Sequence, residues 1–228
     1  MKQYRGVILD VDGTLVDSND AHARAWVAAF AEAGVEVEFA AVRRLIGMGG
    51  DKLMPEVSDF DGSDERSEAI SRRRGEIFKE RYLPTLVAFR SARDLLAELR
   101  GRGLRLAVAS SAKKDELGPL LEVAGAQGLI EARTSADDAE ESKPDPDIVL
   151  AALRSLNMAP PEVIMLGDTS YDLAACQKAG IDMIGLRSGG WGDADLAGCV
   201  AVYANCADLL ARLDESPLGA GGNITSAG

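Results

Sequence analysis

Three short apolar runs each end in side chains that could do chemistry. Val7-Ile8-Leu9 runs into Asp10, followed by Val11-Asp12-Gly13-Thr14. Leu106-Ala107-Val108-Ala109 runs into Ser110 and Ser111. Val163-Ile164-Met165-Leu166 runs into Gly167-Asp168, with Asp172 four residues on. Lys143 stands between Ser142 and Pro144, just ahead of a helical pattern, and can reach the same edge. Carboxylates crowded together repel unless a cation joins them. An all-oxygen donor set suits a hard ion, and Mg²⁺, which takes few protein oxygens and keeps several waters, is the natural choice.

The elements that must position these groups are legible in the same runs. None alternates apolar with polar, which predicts strands covered on both faces, as in a parallel sheet. Met183-Ile184-Gly185-Leu186 reads as a further strand, and Val200-Ala201-Val202-Tyr203 as a weaker one. Between them lie helical patterns. Asp94 to Arg100 carries Leu95, Leu96 and Leu99 and stops at Gly101, and Asp147 to Leu156 repeats Val149, Leu153 and Leu156 after Pro144 and Pro146. Strand–helix alternation predicts a doubly wound α/β fold, whose ligands bind outside the carboxyl ends of the strands.

One segment breaks the alternation. From Asp17 to about Thr85 no strand is expected. Trp26 and Phe30 share one face of a helix closing at Gly34, Gly47-Met48-Gly49-Gly50 reads as a turn, and Ser63 to Tyr82 reads as a polar helix weakened by Gly75. The expected division is an α/β core of residues 1–16 and 85–228 with a helical insertion of 17–84. The small, polar tail from Ser216 is expected to fray, with 217–228 flexible.

Composition narrows the partners. The chain has 228 residues, 46% hydrophobic, enough for a packed core. Its formal net charge of −12 makes it a poor binder of nucleic acid polymers or anionic membrane surfaces. Cys176, Cys199 and Cys206 form no paired motif and read as reduced thiols of a cytoplasmic protein. No apolar run approaches the roughly 18 residues of a spanning helix.

Taken in order, D-V-D-G-T at Asp10 to Thr14, V-A-S-S ending at Ser110 and Ser111, S-K-P-D-P around Lys143 and G-D-T-S-Y-D from Gly167 to Asp172 resemble the haloacid dehalogenase superfamily. The resemblance implies that Asp10 attacks phosphorus and becomes an aspartyl phosphate, which water then hydrolyses. Asp12 would protonate the leaving alkoxide and then deprotonate the attacking water. Mg²⁺ would be held by the Asp10 carboxylate, the Asp12 carbonyl and Asp168, with Asp172 supporting from behind. Ser110 would hydrogen-bond a phosphoryl oxygen and Lys143 would neutralise Asp10 and the transferring group. Thr14, Ser111, Gly49, Gly50 and His22 complete the expected substrate contacts. The insertion resembles the helical cap of phosphoglycolate phosphatases and β-phosphoglucomutases and would close over the substrate.

Asp12 discriminates among the branches. A halide leaves without a proton, and the phosphonate-cleaving branch typically carries Ala at this position, so an acid here points to C–O–P chemistry. The expected reaction is hydrolysis of a small phosphorylated metabolite by a monomer or weak homodimer. The rival is a sugar phosphomutase, favoured by A-S-S-A-K-K, with His22 and Trp26 resembling a hinge segment of mutases and of many capped phosphatases, but opposed by the absence of an Arg beside Gly49 and Gly50 and by G-D-x-x-x-D in place of E-D. A phospho-acceptor signalling module uses similar groups; Asp12, which would discharge the phosphoenzyme, and the cap argue against it. His22 reads equally as hinge packing or as a contact made on closure. Arg72-Arg73-Arg74 reads as a solvated helix face, with a cap charge for an anionic substrate as the alternative.

Overall fold

The computed structural model describes residues 2–219. Its six strands form one parallel sheet in the order β3-β2-β1-β4-β5-β6. They are β1 (Gly6–Leu9), β2 (Arg105–Ala109), β3 (Ala132–Thr134), β4 (Val163–Gly167), β5 (Asp182–Leu186) and β6 (Ala201–Tyr203). The sequence predicts five of these. The missed strand, β3, is three residues long with Arg133 at its centre, so it carries no apolar run to read.

Nine α-helices are present among the described residues: α1 (Asn19–Glu32), α2 (Phe39–Arg43), α3 (Gly50–Val57), α4 (Glu65–Ile77), α5 (Ala92–Gly101), α6 (Lys114–Val123), α7 (Asp147–Leu156), α8 (Ser170–Ala179) and α9 (Cys206–Ala211). The sheet is covered on both faces, which is why its strands read as unbroken apolar runs. Val7 and Leu9 with Leu106 and Val108 meet Leu95, Leu99, Leu120 and Leu209 on one face. Ile8 with Ala107, Ala109 and Met165 meets Ile148, Leu153 and Cys176 on the other. Each large aliphatic side chain so buried contributes roughly 1.5–3 kcal/mol.

Residues 17–84 carry α1 to α4. Asp64 caps α4 by accepting from the Ser67 N–H at 2.6 Å, and α4 runs on into a single π turn, Phe78–Tyr82. The chain enters and leaves this segment through two adjacent strips. Asp17 N–H donates to the Val87 carbonyl at 3.0 Å and Phe89 N–H to Leu15 at 2.9 Å. The expectation of a tail frayed from Ser216 needs correction at its start. Ser216 and Leu218 are buried, and the Ser216 hydroxyl caps the backbone at Leu218. Residues 220–228 lie outside the described part. No helix among the described residues is long and apolar enough to cross a membrane.

Candidate active site

The order of the strands sets the place of the chemistry. The sheet reverses its winding between β1 and β4, the crevice where open α/β sheets bind ligands. Asp10 follows β1 and Asp168 follows β4, and the Asp10 N–H donates to Leu166 at 2.9 Å, locking the two strand ends together. Reactive oxygens of Asp10, Asp168 and Asp172 lie within 4.8 Å of one another, all three residues buried.

Lys143 joins the cluster from the loop before α7 and is 0% exposed. Its Nζ donates to Asp10 Oδ1 at 2.7 Å and to the Ala109 carbonyl at 2.9 Å. It also lies 2.7 Å from Asp172 Oδ1, an ion pair outside hydrogen-bonding alignment. Burial opposes its charge, but Asp10 and Asp172 outweigh that and hold the ammonium protonated. Asp172 is aimed by helix capping. Its Oδ2 accepts from the Thr169 N–H and hydroxyl at 3.1 and 2.7 Å, while the Asp172 N–H donates to Thr169 Oγ1 at 3.0 Å. One oxygen serves α8 and the other faces Lys143.

Burial pushes Asp10 up to about 8, with Lys143 opposing and Asp172 and Asp12 adding to the rise. Burial, then Asp10 and Asp172, push Asp168 well above the usual carboxylate range. One lysine thus faces three buried acids, an excess of negative charge that a divalent cation would relieve. The donor set is all oxygen and fits Mg²⁺. Asp168 is braced at both oxygens. Asn19 Nδ2 donates to its Oδ2 at 3.0 Å and Thr14 Oγ1 to its Oδ1 at 3.2 Å. A Cβ on Gly189 would stand 1.5 Å from Asp168 Oδ2, so only glycine fits beside that carboxylate.

Asp12 stands apart from the lysine cluster, under α1. Its Oδ1 meets His22 Nε2 at 2.8 Å and accepts from the Ser18 hydroxyl. Burial opposes its ionisation, but His22 and the Ser18 hydrogen bond outweigh it and keep the carboxyl below its ordinary value. His22 itself stacks on Phe78, with ring centroids 3.9 Å apart. It is thus packed between Phe78 and the Asp12 carboxyl.

The other expected contacts divide. Asp10, Asp12, His22, Gly50 and Ser111 line one inner chamber of about 50 Å³. Ser110 is buried and is not among the lining residues, its hydroxyl oxygen accepting from the Ala112 N–H at 3.1 Å. Ser111 donates to the Gly47 carbonyl at 3.0 Å, tying the core to the loop before α3. Gly49 lines an adjoining outer cleft of about 430 Å³. Thr14 corrects the sequence reading: it lines neither cavity, and its hydroxyl donates to Asp168, so it supports that carboxylate.

Arg74 is a second correction. The run Arg72-Arg73-Arg74 is not a uniform solvated face, because Arg74 is buried and lines both the chamber and the cleft. It pairs with Glu116 of α6 at 2.8 Å and lies over the Trp26 ring, 5.3 Å from its centroid. The signal was available. Ser67, Ile70, Arg74 and Ile77 fall at helical spacing, so Arg74 occupies a core-facing position of α4. Glu116 and Asn19 carried no comparable mark.

Comparisons with known proteins agree with this geometry. Residues 7–186 match the family model described as haloacid dehalogenase-like hydrolase. The chain is 33% identical to the probable phosphatase IndB of Dickeya dadantii over 189 residues, 82% of this chain and 81% of that one. It is 32% identical to the phosphoglycolate phosphatase of Yersinia pestis over 216 residues, 92% and 93% of the two chains. The crystal structure of a hydrolase from Pseudomonas syringae superposes with a TM-score of 0.86 at 30% identity, covering 92% and 98% of the two chains.

Proposed function

We infer the reaction from a fixed premise: the chain belongs to the haloacid dehalogenase-like hydrolases and is a phosphoric monoester hydrolase. The reading is a Mg²⁺-dependent phosphatase that works through an aspartyl phosphate on Asp10. The observation that carries it is Lys143 pinned between Asp10 and Asp172, with Asp168 beside them and Asp12 in the same chamber as Asp10.

The Asp10 and Asp168 carboxylates and the Asp12 carbonyl would hold the ion. When bound, Mg²⁺ supplies positive charge that keeps Asp10 ionised and offsets the phosphoryl oxygens. Lys143 holds Asp10 in place and offsets its charge. Asp10 Oδ attacks phosphorus as the ester oxygen departs on the opposite side. An approaching phosphoryl dianion adds like charge beside Asp12, which raises its carboxyl against the lowering pull of His22 and Ser18 and favours its protonated form. Asp12 gives that proton to the departing alkoxide, then as a carboxylate takes one from the water that attacks phosphorus and restores Asp10. Ser110, its oxygen occupied by the Ala112 N–H, keeps its proton for a phosphoryl oxygen.

The test is turnover of p-nitrophenyl phosphate with Mg²⁺. Activity should vanish with chelator and fall by roughly 10³-fold or more in Asp10→Asn with the fold intact. Undiminished turnover in Asp10→Asn would refute the mechanism. Phosphorus NMR of a sugar 1-phosphate with bisphosphate primer separates hydrolysis from transfer: free phosphate should appear faster than isomer.

A further inference from the structure

Arg74 stands where the inner chamber opens into the outer cleft, lining both together with Gly50 and Ser111. A leaving group that extends from the chamber into the cleft runs past Arg74, Gly50 and Ser111. This arginine is not a free cation. Glu116 is 1% exposed and takes its Nη1 at 2.8 Å, so the pair is neutral as a unit. The approach is built for this contact: a Cβ on Gly75 would meet Glu116 Oε1 at 2.9 Å. Arg74 Nε is buried with no hydrogen-bond partner among the described residues, a donor held without an acceptor.

The outer cleft repeats this balance. Its charged lining is Asp51, Glu68 and Glu140 against Arg72, Arg74 and Lys113, three of each sign. Ser71 and Ser142 add hydroxyls. A carboxylate or second phosphate entering here would meet Glu116 beside Arg74 and no net positive charge beyond it. A neutral polyol would find donors and acceptors alike, giving an acceptor to Arg74 and hydroxyl protons to the acids.

We propose that the Arg74–Glu116 pair reads the leaving group, and that the substrate is a phosphate ester of a neutral polyhydroxylated alcohol, sugar-like in its chemistry. The pair selects against esters whose leaving group carries a carboxylate or a second phosphate. This rests on the phosphatase reading above.

The experiment compares kcat/KM for a hexose 6-phosphate, 2-phosphoglycolate and p-nitrophenyl phosphate with Mg²⁺. The wild-type protein should favour the hexose ester over 2-phosphoglycolate by roughly tenfold or more. Glu116→Gln keeps an acceptor for Arg74 but leaves its charge uncompensated, so the ratio should move toward 2-phosphoglycolate by about tenfold. Turnover of p-nitrophenyl phosphate with 2-phosphoglycolate as the preferred natural ester overturns this proposal alone, in the wild-type protein and without any variant. A ratio unmoved by a folded Glu116→Gln overturns the role of the pair. Failure to turn over all three esters overturns the phosphatase reading, and this proposal with it.

Discussion

The Arg74–Glu116 contact makes a quantitative prediction about stability. It joins α4 to α6 with side chains only 8% and 1% exposed. Removing one partner strands a buried charge, which costs about 3–5 kcal/mol, whereas replacing both with apolar groups of similar size is often neutral. Arg74→Met keeps a long stem against Trp26, and Glu116→Leu conserves volume. Each single variant should therefore lose about 3–5 kcal/mol, or roughly 6–20 °C in Tm for a chain of this length. The double variant should fall within about 1 kcal/mol of the parent, a reversal that only a coupled pair produces. Urea unfolding followed by circular dichroism, in Mg²⁺-free buffer, measures all four proteins. The slope against urea must stay constant for the comparison to hold. Single effects that simply add in the double variant, or singles within about 1 kcal/mol of the parent, refute the buried-pair reasoning.

Other outcomes follow from the acid cluster. Gly189→Ala drives a methyl group into Asp168 and should weaken Mg²⁺ binding by roughly 10–100-fold, read from the Mg²⁺ dependence of turnover. Thr14→Val removes a donor to Asp168 and should raise the Mg²⁺ requirement by a similar or smaller factor, again by Mg²⁺ titration. Without Mg²⁺, stability should fall as pH rises from 6 toward 8. Burial holds Asp10 protonated up to about 8 in the folded chain, whereas the unfolded chain releases that proton near 4. The folded state binds the extra proton, so Asp10 alone costs about 1.4 kcal/mol per pH unit up to about 8, and Asp168, raised by the same burial, adds to the loss. Thermal melts across that range with chelator show the slope, and added Mg²⁺ should flatten it. A flat profile in chelator would place the proton elsewhere.

Most of the sheet could be read because buried parallel strands have no polar face. Val7-Ile8-Leu9 and Val163 to Leu166 announce themselves, and the side chains that stop them are the ones the fold carries to its crevice. Lys143 was visible only through its neighbours Ser142 and Pro144, since 133 residues separate it from Asp10. What escaped was of two kinds. The strand β3 is too short and too charged to show a period. Thr14, Asn19 and Glu116 act through contacts with distant chain, and single polar residues in a helix or turn carry no mark of what they will face. Arg74 was the readable exception, a charge on the same helical stripe as Ile70 and Ile77.

The central place of β1 has a consequence for how the molecule comes into being. Its partners β2 and β4 lie far along the chain, and the contacts that assemble the acids span 133 residues from Asp10 to Lys143 and 154 from Thr14 to Asp168. Synthesis releases β1 before β2 and β4, so Asp10 waits on the ribosome for neighbours not yet made. Such distant parallel pairing is slow to form. A stalled or clipped product that lacks β4 has no assembled cluster, and so it cannot drain the cell's phosphate esters. Catalytic competence arrives only with the finished sheet, which makes turnover itself a strict gauge of native folding.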